Sequence, residues 1–337
     1  MKSIRIICLS LLVVLSFSAC QQQTQLKKVH FVGAAQGTYY AITYFDVSSR
    51  DFQPEIDSIL RAFDQSVSIY QPNSIVSKIN RNENAELDDW FIDNFNLSQK
   101  IAQETEGSLD ITIAPIANVW GFGTFTKPDS VNHALIDSLK QYVDYQKVRI
   151  INRQLIKENE HIQLNYNAVA QGFAVDVLSD FLKSKGVDIH LIDLGGEIYA
   201  CGHKPNGDQW KIGIEIPEDG AEERFYNKIV SIENEAVATS GNYRKFYALD
   251  GVKYAHSLNP RTGYPVKHSL LSTTVIAPKS GEADAYATAF MVMGVDKTLE
   301  FTKQHPEINV YLMFDEGGEI KTAMSEGFSK YLSDGIE

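Results

Sequence analysis

Asp284 and Thr288 stand four residues apart in a stretch, Glu282 to Met293, whose spacing predicts a helix ending at Gly294, so their carboxylate and hydroxyl leave one face a turn apart. Both are hard oxygen donors, and with a backbone carbonyl and phosphate oxygens or waters they could complete a magnesium octahedron. The pair equally fits an acid set against the helix dipole and a threonine turned to solvent, and spacing alone leaves both readings open. His256 lies in AHSLNPRTGYP, a turn stiffened by Pro260, Gly263 and Pro265, where Arg261 offers a fork matched to phosphate. Such a loop can present a general base, or hold a histidine satisfied by backbone.

Three further groups carry two readings each. Ser240-Gly241-Asn242 could cradle phosphate with exposed amides or form an ordinary turn. Trp120-Gly121-Phe122-Gly123 could seat a flat ring close to the backbone or pack inward. Tyr70, among Ser66, Ser68 and Ser74, has the same alternatives. No GxGxxG follows a strand and no GxxxxGK[ST] occurs, so neither a dinucleotide-binding Rossmann site nor a P-loop is supported.

The elements that must position these residues are legible from periodicity. Thr38 to Phe45 is β-branched and aromatic and reads as a strand. Pro54 opens a helix with Ile56, Ile59, Leu60 and Phe63 on one stripe, and a second helix is expected over 89–106, stopped by Gly107. Residues 169–185 keep strict helical spacing until Gly186, and a strand over 187–194 follows, ending at Gly195-Gly196. Further strands are expected at 198–200, 210–216, 229–233, 271–277 and 309–314, with a tight turn over 315–318. Hairpins mixed with helical crossovers predict an α+β fold: two closely packed lobes of mixed sheet and helices.

Lys2 and Arg5 precede an apolar run from Ile6 to Phe17 and small residues at Ser18 and Ala19, the pattern of a secretory signal peptide too short for a comfortable permanent span. Cys20 follows where a lipoprotein signal peptidase would expose it for acylation. The expected division is therefore a signal peptide over 1–19, a lipidated Cys20 and polar tether over 20–32, and one folded body over 33–337. The expected location is the exported, periplasmic side of a bacterial membrane, through the lipid anchor. Removing 1–19 takes away two cations and no acid, moving the formal charge from −12 to −14. Nucleic acid is thereby an improbable partner. Only Cys201 remains in the body, and no CxxC or Cys/His cluster could hold zinc or iron.

Taken in order, AQGTYY (35–40), SIYQPNSIVSKIN (68–80), GSLDITIAPIANVWGFG (107–123), NAVAQGFAVD (167–176), IDLGGEIYACG (192–202), ATSGNYRKF (238–246), AHSLNPRTGYPV (255–266) and ADAYATAFMVMG (283–294) resemble the ApbE family of FAD:protein FMN transferases. The resemblance spans nearly the whole body. It implies Mg2+ held by the Ala168 carbonyl, Asp284 and Thr288, with the Ala287 carbonyl as a further donor; some members have an aspartate at the place of Ala287. It implies FAD as substrate, contacting Gln36, Tyr70, Ser108, Leu109, Asp110, Asn165, Gln171, His256 and Leu258, with His256 and Asp284 as the catalytic pair. Gln36 stands where methionine is usual, Asn165 where aspartate is frequent, and Gln171 where lysine or glutamate is usual. The implied partner is an acceptor protein with a flavinylated Thr or Ser, a subunit of a membrane redox complex. An FAD pyrophosphatase and a non-catalytic FAD-binding lipoprotein are the alternatives.

Overall fold

The computed structural model describes residues 25–123, 131–216, 226–242, 246–249, 252–255 and 257–333. The expected signal peptide, Cys20 and His256 lie outside the described residues.

The chain opens with a hairpin of β1 (Lys27–Ala35) and β2 (Thr38–Asp46), turned at Gln36-Gly37. β1 occupies part of the stretch expected as tether. Its apolar residues Val29 and Phe31 pack against the main core, and that burial recruits the segment despite its lysine-rich start. Helix α1 (Gln53–Val67) follows, started by Pro54 and burying Ile56, Leu60, Phe63 and Val67. Next come α2 (Ile75–Asn80) and α3 (Asp89–Glu104), the latter capped by Asp88 accepting from Phe91 N at 2.7 Å. α4 (Ala114–Val119), α5 (His133–Leu139) and a hairpin of β3 (Val148–Ile151) and β4 (Gln154–Lys157) lead to α6 (Ala170–Ser184).

Then come β5 (His190–Leu194) and β6 (Glu197–Cys201). β5 begins later than expected because Val187 N–H closes α6 by donating to Leu182 O at 3.0 Å. β7 (Trp210–Glu215), β8 (Tyr226–Ile232), β9 (Glu235–Gly241), β10 (Phe246–Leu249), β11 (Val252–Ala255), β12 (Leu258–Asn259), β13 (Tyr264–Pro265) and β14 (Leu270–Ala277) precede α7 (Ser280–Met293) and α8 (Val295–Gln304). A final hairpin, β15 (Asn309–Glu316) and β16 (Glu319–Met324), turns through Gly317 and Gly318, both at positive φ, as the glycine pair predicts.

Eight strands form one sheet in the order β1-β2-β5-β6-β9-β14-β15-β16, every neighbouring pair antiparallel. The two-residue strand period divides its side chains between two cores. Ala236, Ala238, Val275, Val310 and Leu312 face the helical side, against α1, α3, α6 and α7. Val237, Ile276, Tyr311 and Met313 face the β7–β8 hairpin, Phe328 and Tyr331. A third, smaller cluster gathers Ile116, Trp120, Ile136 and Leu258. The fold is α+β, as expected, with its packed bodies on both sides of the sheet.

Candidate functional site

Helices α6 and α7 run antiparallel on the helical side of the sheet and meet through a four-residue register. Asp176 Oδ1 and Oδ2 accept from Ser280 N and Gly281 N, each at 2.9 Å. One turn back on α6 and one turn on along α7, Gly172 N donates to Asp284 Oδ2 at 3.1 Å. Ala168 lies in the turn just before α6, two residues ahead of its first helical residue, and Thr288 lies one turn beyond Asp284 on α7. Gly172 makes this approach possible: a Cβ there would stand 2.3 Å from Ser280 O and 2.7 Å from Asp284 Cβ.

Asp284 is 6% exposed and makes no ion pair among the described residues. Burial pushes its pKa up to about 7, offset in part by the Gly172 hydrogen bond. Its carboxylate lies against an orphan N–H of the first turn of α6, where the helix dipole favours negative charge. Thr288 is half-buried, with its hydroxyl 3.4 Å from Ser240 Oγ on β9. Ala287, beside it, is fully buried. Among the described residues no three of His, Cys, Asp and Glu converge on a point.

A second set of contacts draws three distant segments together next to this helix start. Tyr70, 58% exposed, accepts from Asn167 Nδ2 at 3.0 Å. Asn165, buried, accepts from Asn167 N through Oδ1 at 2.8 Å and donates its own N–H to Ile111 O at 2.7 Å. Asn80 clamps Leu164 by both backbone groups, at 2.8 and 2.7 Å. Asp110 is committed inward, accepting from Thr112 N, Thr112 Oγ1 and Tyr145 N at 2.8, 2.6 and 2.8 Å, and burial pushes its pKa up to about 6. Leu109 is buried in the main core. What the 108–110 segment presents outward is thus Ser108, half-buried, and backbone.

Gln36 sits in the β1–β2 turn at φ +52°, hydrogen-bonded to Asp64, whose carboxyl burial raises above its usual range. Gln171 approaches the same turn. Its Nε2 lies 3.0 Å from where a Cβ on Gly195 would stand, and Thr38 Cγ2 lies 2.7 Å from it; Gly195 is itself at φ +68°, a conformation that favours glycine. Leu258 packs in the cluster of Ile116 and Trp120, and Trp120 Nε1 donates to Gly263 O at 2.8 Å. Trp120, 1% exposed, is therefore a core residue that pins the 257–266 loop, not an open platform. Ser257 Oγ donates to Asn242 Oδ1 at 2.8 Å. Ser240 and Gly241 belong to β9, and Asn242 N donates to Leu271 O at 2.9 Å, so no row of free amides forms there.

Sequence reading missed Gly172, Asp176, Asn80 and Asn167. The glycine and the aspartate share one face of α6, four residues apart, which is the signal that could have singled them out.

The sequence matches the ApbE family over residues 36–312. The FAD:protein FMN transferase of Escherichia coli is 31% identical, with 94% of this chain and 95% of that protein covered. The protein of the same name from Haemophilus influenzae is also 31% identical, with 94% of each covered. Among solved structures, the flavin transferase ApbE from Vibrio cholerae superposes with a TM-score of 0.83 at 29% identity, covering 91% of this chain and 100% of that one. The apo form of Pseudomonas stutzeri flavinyl transferase ApbE gives 0.81 at 29% identity, covering 93% and 99%. Matched across most of its length in sequence and in fold, the chain belongs to the ApbE family.

Proposed function

We propose that this chain is an FAD:protein FMN transferase, working with Mg2+ on a Thr or Ser hydroxyl of an acceptor protein. The observation that carries the reading is Asp284: a buried carboxylate with no cationic partner among the described residues, held at the first turn of α6, with the Thr288 hydroxyl one turn on. This donor set fits a hard cation. Asp284, Thr288 and the carbonyls of Ala168 and Ala287 are all oxygen donors, and one carboxylate suffices where phosphate and water complete the shell. These residues would hold Mg2+, which when bound would supply charge neutralisation for phosphoryl transfer.

The chain's own residues do the rest. The segments joined through Tyr70, Asn167 and Asn165, together with Gln36 and Gln171, hold the nucleotide. His256 accepts the proton as the acceptor oxygen forms its bond to the FMN-side phosphorus. The P–O bond to the AMP side breaks, and AMP leaves with the bonding electrons. Acylated Cys20 anchors the protein on the exported face of the membrane, where the acceptor, a subunit of a membrane redox complex, presents its hydroxyl.

Incubating the protein with FAD, Mg2+ and an acceptor domain tests this. Covalent flavin fluorescence on the acceptor, with one AMP released per flavin, is the expected result. Free FMN and AMP without a labelled acceptor would make the protein a pyrophosphatase, and unchanged FAD would make it a flavin-binding lipoprotein.

A further inference from the structure

We propose that Asp176 is a positioning residue for the cation site: its two carboxylate oxygens set the depth of α7 against α6, and through it the placement of Asp284 and Thr288. The inference rests on the reading of Asp284 and Thr288 as cation ligands. Helix α7 has no cap of its own, since Lys279 at its N-cap makes no side-chain hydrogen bond. Asp176 supplies it from another helix, at 2.9 Å to each of two consecutive N–H groups. Only a carboxylate offers two acceptors in that geometry. It is buried, at 8% exposure.

The consequence travels along α7 in steps of four. Ser280 is fixed by Asp176, Asp284 meets Gly172 N, and Thr288 meets Ser240 Oγ, all on one helical face. Release of the first turn lets α7 slide or rotate on α6, and the two ligands leave their places relative to the start of α6, which Gly172 N marks. The helix itself stays docked, because α3 holds it separately: Tyr286 donates to Glu104, and Lys100 pairs with Glu282 at 2.8 Å. Asp176 is thus separable from the fold of α7 and acts on its register.

The test titrates Mg2+ into the FAD-saturated protein by calorimetry, with thermal melting of the same samples without the cation. Asp176→Asn keeps one acceptor but sets an NH2 against Gly281 N–H. It is expected to weaken Mg2+ binding by about tenfold or more, as loss of a group that orients a metal ligand does, while FAD affinity changes less than about twofold. Ser280→Pro is the second variant. It removes one N–H at a helix position that suits proline, and the Ser280 hydroxyl makes no hydrogen bond that would be lost. It should weaken Mg2+ binding in the same sense. A lower melting temperature with wild-type Mg2+ affinity in both variants would reduce Asp176 to a structural cap and overturn the proposal. Asp284→Ala separates the two claims: wild-type Mg2+ binding in that variant would overturn the cation reading itself.

Discussion

The amide of Gly172 donates to the carboxylate of Asp284 at 3.1 Å, tying the start of one helix to the middle of another that begins more than a hundred residues later. The contact exists because position 172 has no side chain. Gly172→Ala places a methyl group against Ser280 O and Asp284 Cβ, atoms that belong to a packed helix and cannot step aside cheaply. The variant should lose about 1–3 kcal/mol of stability by overpacking, and AMP release should fall with it. Urea unfolding and an AMP assay on the same preparation check both.

Asp284→Ala should abolish Mg2+-dependent transfer while the protein remains folded, since the buried carboxylate has no cationic partner among the described residues and burial already disfavours its charged form. Normal AMP release in this variant would remove the basis for the cation site.

His256→Ala should slow turnover while FAD binding persists, because its assigned task is to take a proton. Fluorescence titration with FAD beside single-turnover labelling of the acceptor distinguishes this from a binding role, in which FAD affinity would collapse.

Trp120→Phe removes the donor to Gly263 O and leaves that carbonyl unpaired in a buried cluster. A loss of about 1–3 kcal/mol is expected. The 257–266 loop should loosen, so turnover should fall while the Mg2+ dependence is unchanged. Hydrogen exchange at residues 257–266 reads the loosening directly.

His190 is fully buried, its ring bonded to Ser179 Oγ at 2.9 Å and to Val187 O at 3.1 Å, and burial pushes its pKa from 6.5 down to about 4. A folded pKa below the unfolded one means that the unfolded chain takes the proton first. The contribution is whole above pH 6.5 and is lost as pH falls toward 4, on the order of 3 kcal/mol. Asp110 and Asp176, with pKa values raised by burial from 3.8 to about 6, act in the opposite sense over that range. The test is therefore a difference: denaturation of His190→Asn should show a flatter loss between about pH 7 and about pH 4.5 than the wild type.

Most of the scaffold was readable because its signals are local. The 3.6-residue spacing of α1 and α6, the β-branched run of β2 and the glycine pair between β15 and β16 each act within a few residues. Asp284 and Thr288 were visible for the same reason, being one turn apart. What escaped depends on contacts across the chain. The first turn of α7 starts at Ser280, before the expected Glu282, because its cap comes from Asp176 on α6. Residues 27–32 of β1 were read as tether because their burial depends on a strand and a helix that follow them. Trp120, next to Gly121, carried two readings, and Gly263, far along the sequence, decides between them.

Cys201, the one cysteine among the described residues, lies opposite His190 across the β5–β6 ladder at 6% exposure, and burial raises its thiol pKa. Thiol reagents can reach it only when those strands part. Its labelling rate is therefore a clock for breathing of the central sheet, and an intact molecule can be kept without reductant and stay free of cross-links through this sulfur.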